Sequence, residues 1–212
     1  MKILVTGGSR GIGKHIVSMF EKHGHFVYSP TRKELDLSRI DINLERTDFD
    51  IVINNAGINP LKNITDISDE EVMRVNYFSP LKIIQQCLPH MVQNQYGRIL
   101  NIGSIWIELS KPQRSAYSAS KHALHSLTKS ITSEYAQYNI LSNTISPGFI
   151  ATDLTYQNNT KEQIEEIVKN IPVKRLGTPD EIAHLSYQLT INNTFITGQN
   201  IVIDGGYTCT AH

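Results

Sequence analysis

The chain has 212 residues, 40% of them hydrophobic and 19% charged, which is enough to form one domain with a substantial core. Its 20 Lys and Arg residues balance 20 Asp and Glu residues, which argues against a nucleic-acid-binding surface. No apolar run matches a secretion signal or a membrane span, and two cysteines are too few for a disulfide framework or a zinc site. We therefore expect a cytoplasmic protein that binds no nucleic acid, membrane or metal.

Short runs rich in Ile, Val and Leu alternate with longer helical patterns. The predicted strands are Lys2–Thr6, His25–Ser29, Asp50–Asn54, Arg98–Gly103, Leu141–Ser146 and Asn200–Ile203. The predicted helices are Ile12–Lys22, Asp69–Leu88, Ser115–Tyr138, Lys161–Lys169 and Pro179–Leu189. Nearly continuous apolar strands are typical of parallel sheets covered on both faces. The alternation predicts an α/β fold, a single Rossmann-type, doubly wound parallel sheet over residues 1–212.

A glycine-rich segment joins the first strand to the first helix. It reads Thr6-Gly-Gly-Ser-Arg-Gly-Ile-Gly13, with a spacing of G-x-x-x-G-x-G. Glycines at such a turn let a pyrophosphate approach the free N–H groups at the start of the helix. The segment therefore indicates a dinucleotide site, and the alternative is a tight turn that binds nothing.

Further motifs follow the later strands in chain order. They are Asn54–Gly57, Ser104, Tyr117-Ser-Ala-Ser-Lys121, Pro147–Thr152, Arg175–Ala183, Ile196–Gln199 and Asp204–Gly206. Together with the glycine turn they resemble the short-chain dehydrogenase/reductase family over nearly the whole chain, most closely its 3-oxoacyl-[acyl-carrier-protein] reductase branch. The resemblance implies an NAD(P)-dependent enzyme that reduces a carbonyl to an alcohol, or performs the reverse reaction.

Tyr117 and Lys121 are four residues apart and so share one face of a helix. A nearby ammonium favours the phenolate and lowers the tyrosine pKa, although such a pair by itself is far more often a solvated helix face. The resemblance implies that Tyr117 is the general acid or base and that Lys121 lowers its pKa and binds the cofactor ribose. It also implies that Ser104 binds the substrate oxygen and that Asn76 supports a water in a proton relay.

The resemblance also implies the cofactor contacts. They are Gly7, Ser9, Arg10, Gly11, Ile12, Gly13, Thr31, Arg32, Asp36, Leu37, Asn55, Ala56, Gly57, Tyr117, Lys121, Pro147, Gly148, Ile150 and Thr152. The second strand ends at Tyr28-Ser-Pro-Thr31 without the acid that binds the ribose of NAD. Arg10 and Arg32 could instead flank a 2′-phosphate, so NADPH/NADP is the preferred cofactor and NAD remains possible. The alternative is that these arginines are solvated loop cations.

The chain is short between its second and third strands. Five residues, Pro30–Glu34, separate the second strand from Leu35-Asp36-Leu37, and they reach at most about 17 Å. A parallel crossover needs about a dozen residues or more. We therefore predict that the third, edge strand of the family is reduced or missing, leaving six main strands, with Asp36 reaching the adenine from a loop.

Residues 153–170 are expected to form a lid over a small, neutral carbonyl or alcohol substrate, because Leu154, Tyr156 and amide side chains dominate their first half. By resemblance, the Ser115–Tyr138 helix packs against a partner subunit in a homodimer or homotetramer. Two alternatives stay open. One is a non-catalytic dinucleotide-binding sensor or scaffold on the same fold, and the other is a reductase of sugar or polyketide-type substrates in place of acyl-carrier substrates.

Overall fold

A single parallel sheet of six strands forms the centre of the fold, which the computed structural model describes for residues 1–210. The strands are β1 (Lys2–Val5), β2 (Phe26–Tyr28), β3 (Ile51–Asn54), β4 (Gly97–Ile102), β5 (Ile140–Pro147) and β6 (Asn200–Ile203). Their order across the sheet is β2-β1-β3-β4-β5-β6, and all pairs are parallel. The predicted Rossmann-type fold is confirmed, and residues 211–212 of the predicted domain lie outside the described part.

Seven α-helices connect and cover these strands within residues 1–210. They are α1 (Gly11–Lys22), α2 (Glu70–Met73), α3 (Ser79–Gln93), α4 (Ser115–Tyr135), α5 (Asp153–Gln157), α6 (Lys161–Asn170) and α7 (Pro179–Tyr187). Two π-helical segments, Arg74–Phe78 and Gln188–Asn192, adjoin α2 and α7, and 3₁₀ turns occupy Ile105–Ile107, Ala136–Tyr138 and Tyr207–Cys209. Within the same residues, no helix is both long enough and apolar enough to cross a bilayer.

The core lies on both faces of the sheet because successive strand side chains point in opposite directions. In β1, Ile3 and Val5 pack with Ile16 of α1 on one face, whereas Leu4 packs with Ile83 of α3 on the other. The two layers of helices thus hold the strands rigidly, and their carboxyl ends meet along one edge.

The edge strand predicted to be missing is absent from residues 29–50, which form turns and irregular chain between β2 and β3. The segment still covers the sheet, because Ile42 and Phe49 are buried against the α3 side of the core. Gln86 of α3 accepts a hydrogen bond from the Leu44 N–H (2.9 Å) and donates one to the Ile42 carbonyl (3.0 Å). Side chains of α3 therefore satisfy backbone groups that strand pairing would otherwise satisfy.

Candidate active site

A cleft of about 420 Å³ opens at the carboxyl edge of the sheet, where ligands bind in open α/β folds. All the cofactor contacts predicted from the sequence line it, as do Ser104 and the residues Thr6, Pro30, Leu35, Ser38, Ile58, Asn59, Glu71, Val75, Ile102, Gly103, Asp153, Leu154 and Thr155. The predicted site residues are thus brought together, with the exception of Asn76, which lies behind the cleft wall. Among residues 1–210, no group of three or more His, Cys, Asp or Glu side chains is placed to hold a metal ion.

The glycine turn is shaped for close approach of a ligand to the backbone. Gly7 and Gly11 have φ of +69° and +53°, a left-handed conformation that side chains rarely adopt. A Cβ on Gly13 would collide with the Gly7 carbonyl oxygen, so α1 packs directly on the turn. No side chain caps the start of α1 and its first turn carries no acid, which leaves its N–H groups available to an anion. These features fit the pyrophosphate of a dinucleotide.

Thr6 and Asn55 lock the turn to the end of β3. The Thr6 hydroxyl accepts hydrogen bonds from the N–H groups of Asn55 and Ala56, both at 3.1 Å. The Asn55 amide donates to the carbonyls of Thr6 (3.0 Å) and Gly7 (3.1 Å). The role of Thr6 was not predicted from the sequence, because a threonine at the end of a strand does not reveal which residues of the neighbouring strand it will bond.

Thr31, Arg32 and Asp36 lie at the far end of the cleft from Ser104. Arg32 is 78% exposed at its side chain, and its Nε lies 3.5 Å from the Asp36 carboxylate. Asp36 also accepts hydrogen bonds from the N–H (3.0 Å) and hydroxyl (2.7 Å) of Ser38, and these bonds lower its pKa. Glu34 accepts a hydrogen bond from the Thr31 N–H at 2.7 Å, so a carboxylate not foreseen from the sequence stands beside this end of the cleft.

Ser104, Tyr117 and Lys121 meet at the other end of the cleft. Ser104 follows β4 directly, and Tyr117 and Lys121 face it from successive turns of α4. The Ser104 hydroxyl is close enough to the Tyr117 hydroxyl to favour its ionised form, which opposes the rise of the Tyr117 pKa. The Lys121 Nζ atom donates to the Ile102 carbonyl at 2.7 Å and lies 5.6 Å from the centroid of the Tyr117 ring. Two hydroxyls thus stand side by side, as required to bind and protonate one oxygen atom.

Burial dominates the electrostatics of this group. It raises the pKa of Tyr117, while the hydrogen bond from Ser104 and the positive charge of Arg114 act in the opposite direction. It lowers the pKa of Lys121 to about 8. The pKa of Tyr117 is therefore raised, in contrast to the lowering expected from a neighbouring ammonium, because burial outweighs the effects of Ser104 and Arg114. Tyr117 is accordingly held as a phenol, the form that can donate a proton.

Asn76 lies in the π-helical segment Arg74–Phe78 and is fully buried. Its Oδ1 accepts from the Ile58 N–H (2.9 Å), and its Nδ2 donates to the Ile58 carbonyl and the Ser120 hydroxyl, both at 3.0 Å. A Cβ placed on Gly57 would lie 3.3 Å from Asn76 Oδ1 and 3.4 Å from Lys121 Nζ. Asn76 is therefore placed next to Lys121 without lining the cleft.

The depressed pKa of Lys121 predicts a pH-dependent stability. Between the folded pKa of about 8 and the unfolded value near 10.5, the unfolded chain binds more protons, so stability rises as pH increases. From about pH 7 to pH 9.5, the cofactor-free wild type should gain about 2 kcal/mol relative to Lys121→Met, at 1.36 kcal/mol per pKa unit. Urea unfolding of both proteins at the two pH values measures this difference. An equal pH dependence in both would show that Lys121 titrates as it does in water.

Comparisons with known proteins agree with this geometry. A family model described as Enoyl-(Acyl carrier protein) reductase matches residues 37–208. The chain is 31% identical to a 3-oxoacyl-[acyl-carrier-protein] reductase of Chlamydia pneumoniae, covering 98% of this chain and 96% of that protein. The solved structure of a 4-hydroxyisoleucine dehydrogenase complexed with NADH is 30% identical and covers 99% of each chain with a TM-score of 0.91. A second solved structure is that of a putative NAD(P)-dependent gluconate 5-dehydrogenase from Beutenbergia cavernae with bound NADP. It is 24% identical over 99% of this chain and 97% of that chain, with a TM-score of 0.90, and this similarity shows the fold alone.

Proposed function

We propose that this chain, which belongs to the short-chain dehydrogenase/reductase family of NAD(P)-dependent oxidoreductases, reduces a small carbonyl compound to an alcohol. In this proposal Tyr117 is the proton donor. The observation that carries the proposal is that Ser104, Tyr117 and Lys121 line the same cleft as a glycine turn that fits a dinucleotide.

Each residue has one task in this proposal. The Ser104 hydroxyl binds the carbonyl oxygen and Tyr117 gives it a proton, so the oxygen ends as a hydroxyl. Lys121, already beside Tyr117, binds the ribose and supplies positive charge as Tyr117 loses its proton. Asn76 fixes the backbone at Ile58 and stands next to Lys121, where it can hold a water that returns the proton. The nicotinamide, when bound, supplies the hydride to the carbonyl carbon.

The test is to follow the nicotinamide absorbance while wild-type protein is mixed with a reduced dinucleotide and a panel of ketones, aldehydes, sugar carbonyls and 3-oxoacyl thioesters. We expect oxidation of the dinucleotide with at least one class and formation of the matching alcohol. Saturable dinucleotide binding without turnover across the panel would favour the alternative, a non-catalytic sensor or scaffold. The panel also separates acyl-carrier substrates from sugar or polyketide-type substrates.

We further propose that NADPH is preferred over NADH. Support comes from Arg10 and Arg32, two cations lining the cleft at the adenosine end, and from β2 ending without a terminal acid. The negative charge of Glu34 would repel a 2′-phosphate and so disfavours NADPH. This carboxylate, however, already accepts hydrogen bonds from Thr31. The 4-hydroxyisoleucine dehydrogenase was solved with NADH, so preference for NADH is the alternative.

Arg32→Gln should weaken NADPH binding about tenfold and leave NADH binding unchanged, because a guanidinium contact to a phosphate is lost. Lys33→Gln is the matched control, since Lys33 is the next exposed cation and does not line the cleft. Fluorescence titration of the three proteins with each dinucleotide measures both effects. Equal losses for NADPH and NADH in Arg32→Gln would contradict the assignment.

Residues 153–170 are proposed to close over the substrate. They form α5 and α6, and Asp153, Leu154 and Thr155 line the cleft while Leu154 and Tyr156 expose apolar side chains. Assembly as a homodimer or homotetramer and a cytoplasmic location stay predictions of the sequence.

A further inference from the structure

Arg114 is a buried cation without a counter-ion. It immediately precedes α4 and is 7% exposed. No carboxylate among residues 1–210 forms an ion pair with it, and its buried Nη1 atom finds no hydrogen-bond partner there. Buried charges in proteins are normally paired and hydrogen-bonded, so an unpaired guanidinium indicates a missing partner.

The other buried arginine of the described chain shows what a structural role looks like. Arg98 is 4% exposed, also forms no ion pair among residues 1–210 and has a buried Nε atom without a partner, but its Nη atoms donate to the carbonyls of Gly97 (2.7 Å), Asn139 (2.8 Å) and Asn193 (3.3 Å). Its guanidinium also lies over the Tyr96 ring at 4.3 Å. Arg98 therefore links the start of β4 to its neighbours, whereas the Arg114 side chain donates no hydrogen bond within residues 1–210.

Arg114 lies beside the two hydroxyls of the candidate active site. It precedes Tyr117 by three residues, at the start of α4, and its charge acts on the Tyr117 hydroxyl. Its guanidinium carbon is 5.8 Å from the centroid of the Trp106 ring, and the backbone N–H of Trp106 donates to the Ser104 hydroxyl at 3.4 Å. Arg114 thus lies beside Tyr117 and beside Trp106, whose backbone is hydrogen-bonded to Ser104.

The Trp106 ring beside Arg114 belongs to a cluster of aromatic side chains. Trp106 packs edge-on against Phe149 with 6.2 Å between ring centroids, and Phe149 packs against Tyr207 at 5.1 Å. A guanidinium in such a low-dielectric wall attracts an anion strongly, and its planar donors match the two oxygens of a carboxylate.

We propose that Arg114 binds a carboxylate of the substrate, so that the enzyme acts on short oxo acids whose carboxylate lies close to the reacting carbonyl, in place of the neutral substrate expected from the composition of residues 153–170. This inference rests on the proposed carbonyl reduction. In the reaction, the carbonyl carbon gains the hydride supplied by the reduced dinucleotide and the carbonyl oxygen gains the Tyr117 proton. The product is the hydroxy acid, and the carboxylate held by Arg114 is unchanged.

The experiment compares matched pairs of substrates that differ in the carboxylate alone, such as pyruvate with methyl pyruvate and acetoacetate with methyl acetoacetate. Wild-type protein should favour the acid over its ester by at least about a hundredfold in kcat/KM for the preferred chain length. Arg114→Gln should lose this preference, and Arg114→Lys should keep part of it. Lys111→Gln, a change of an exposed cation in the same loop, should keep all of it.

A second measurement distinguishes loss of carboxylate binding in Arg114→Gln from misfolding and from an indirect effect on Tyr117. Butyrate, which cannot be reduced, should inhibit the wild type competitively, whereas butyramide should not, and Arg114→Gln should escape inhibition while still binding the dinucleotide. Equal activity of wild type on acids and esters would overturn the inference alone. Equal losses on acid and ester in Arg114→Gln would overturn it too, because Arg114 would then act through Tyr117. Failure to reduce any carbonyl would overturn the proposed function and this inference together.

Discussion

Tyr117→Phe should reduce kcat by about a thousandfold, because it removes the hydroxyl that protonates the carbonyl oxygen while preserving the ring and its packing. General acid catalysis contributes about 10²–10⁴-fold, and water is a poor replacement in a partly buried site. The affinity for the dinucleotide should stay close to that of the wild type, since the glycine turn and Lys121 are untouched. Steady-state kinetics and a fluorescence titration of the same preparation measure the two quantities.

Tyr135→Phe is the matched control for this variant. Tyr135 ends the same helix, outside the cleft, and its ring contacts Tyr138. The same chemical change there should leave kcat unaltered. Wild-type turnover by Tyr117→Phe would remove the tyrosine from the mechanism, whereas loss of dinucleotide binding in that variant would assign it a structural role.

Gly13→Ala should abolish useful dinucleotide binding and destabilise the fold. Helix propensity alone predicts the reverse, because alanine is favoured over glycine within a helix by about 1 kcal/mol. In this structure the new methyl group would collide with the Gly7 carbonyl and the Asn55 amide, so α1 must move away from the turn. Overpacking of this kind costs about 1–3 kcal/mol. The displaced N–H groups should weaken binding by more than tenfold, equivalent to about 1.4 kcal/mol.

Ser18→Ala is the control for helix propensity, because Ser18 is exposed in the same helix. It should change stability by less than about 0.5 kcal/mol and leave binding intact. Urea unfolding of both variants measures the change in stability, and dinucleotide titration measures the change in affinity. If Gly13→Ala were more stable than the wild type and still bound the dinucleotide, the close packing of α1 on the turn would be refuted.

The strands and the edge of the sheet that carries the site could be predicted from the sequence, because both follow from local patterns. The β-branched runs predict strands, and each motif follows a strand, so the parallel topology brings the motifs together. The missing edge strand was also predictable, since the reach of Pro30–Glu34 excludes a crossover helix. What replaces that strand, an irregular segment held by Gln86, depends on contacts across the fold that no local pattern encodes.

The features around the site that could not be predicted from the sequence depend on contacts between residues far apart in the chain. Arg114 stands in a polar stretch, Lys111-Pro-Gln-Arg114, which gives no sign that its last residue is buried beside Trp106. The π-helical turn at Asn76 lies inside a pattern that predicts one continuous helix over Asp69–Leu88. The direction of the Tyr117 pKa shift is likewise set by burial, which is not visible from a spacing of four residues.

The most direct test of the central claim, that the shortened fold still forms a working dinucleotide site, is a fluorescence titration of the wild-type protein with NADPH and with NADH. We expect saturable binding of NADPH, with weaker binding of NADH. Preference for NADH would contradict the assignment of Arg10 and Arg32 alone. Binding of neither dinucleotide would contradict the account as a whole, because the glycine turn, Tyr117 and Lys121 would then line a cleft with no cofactor.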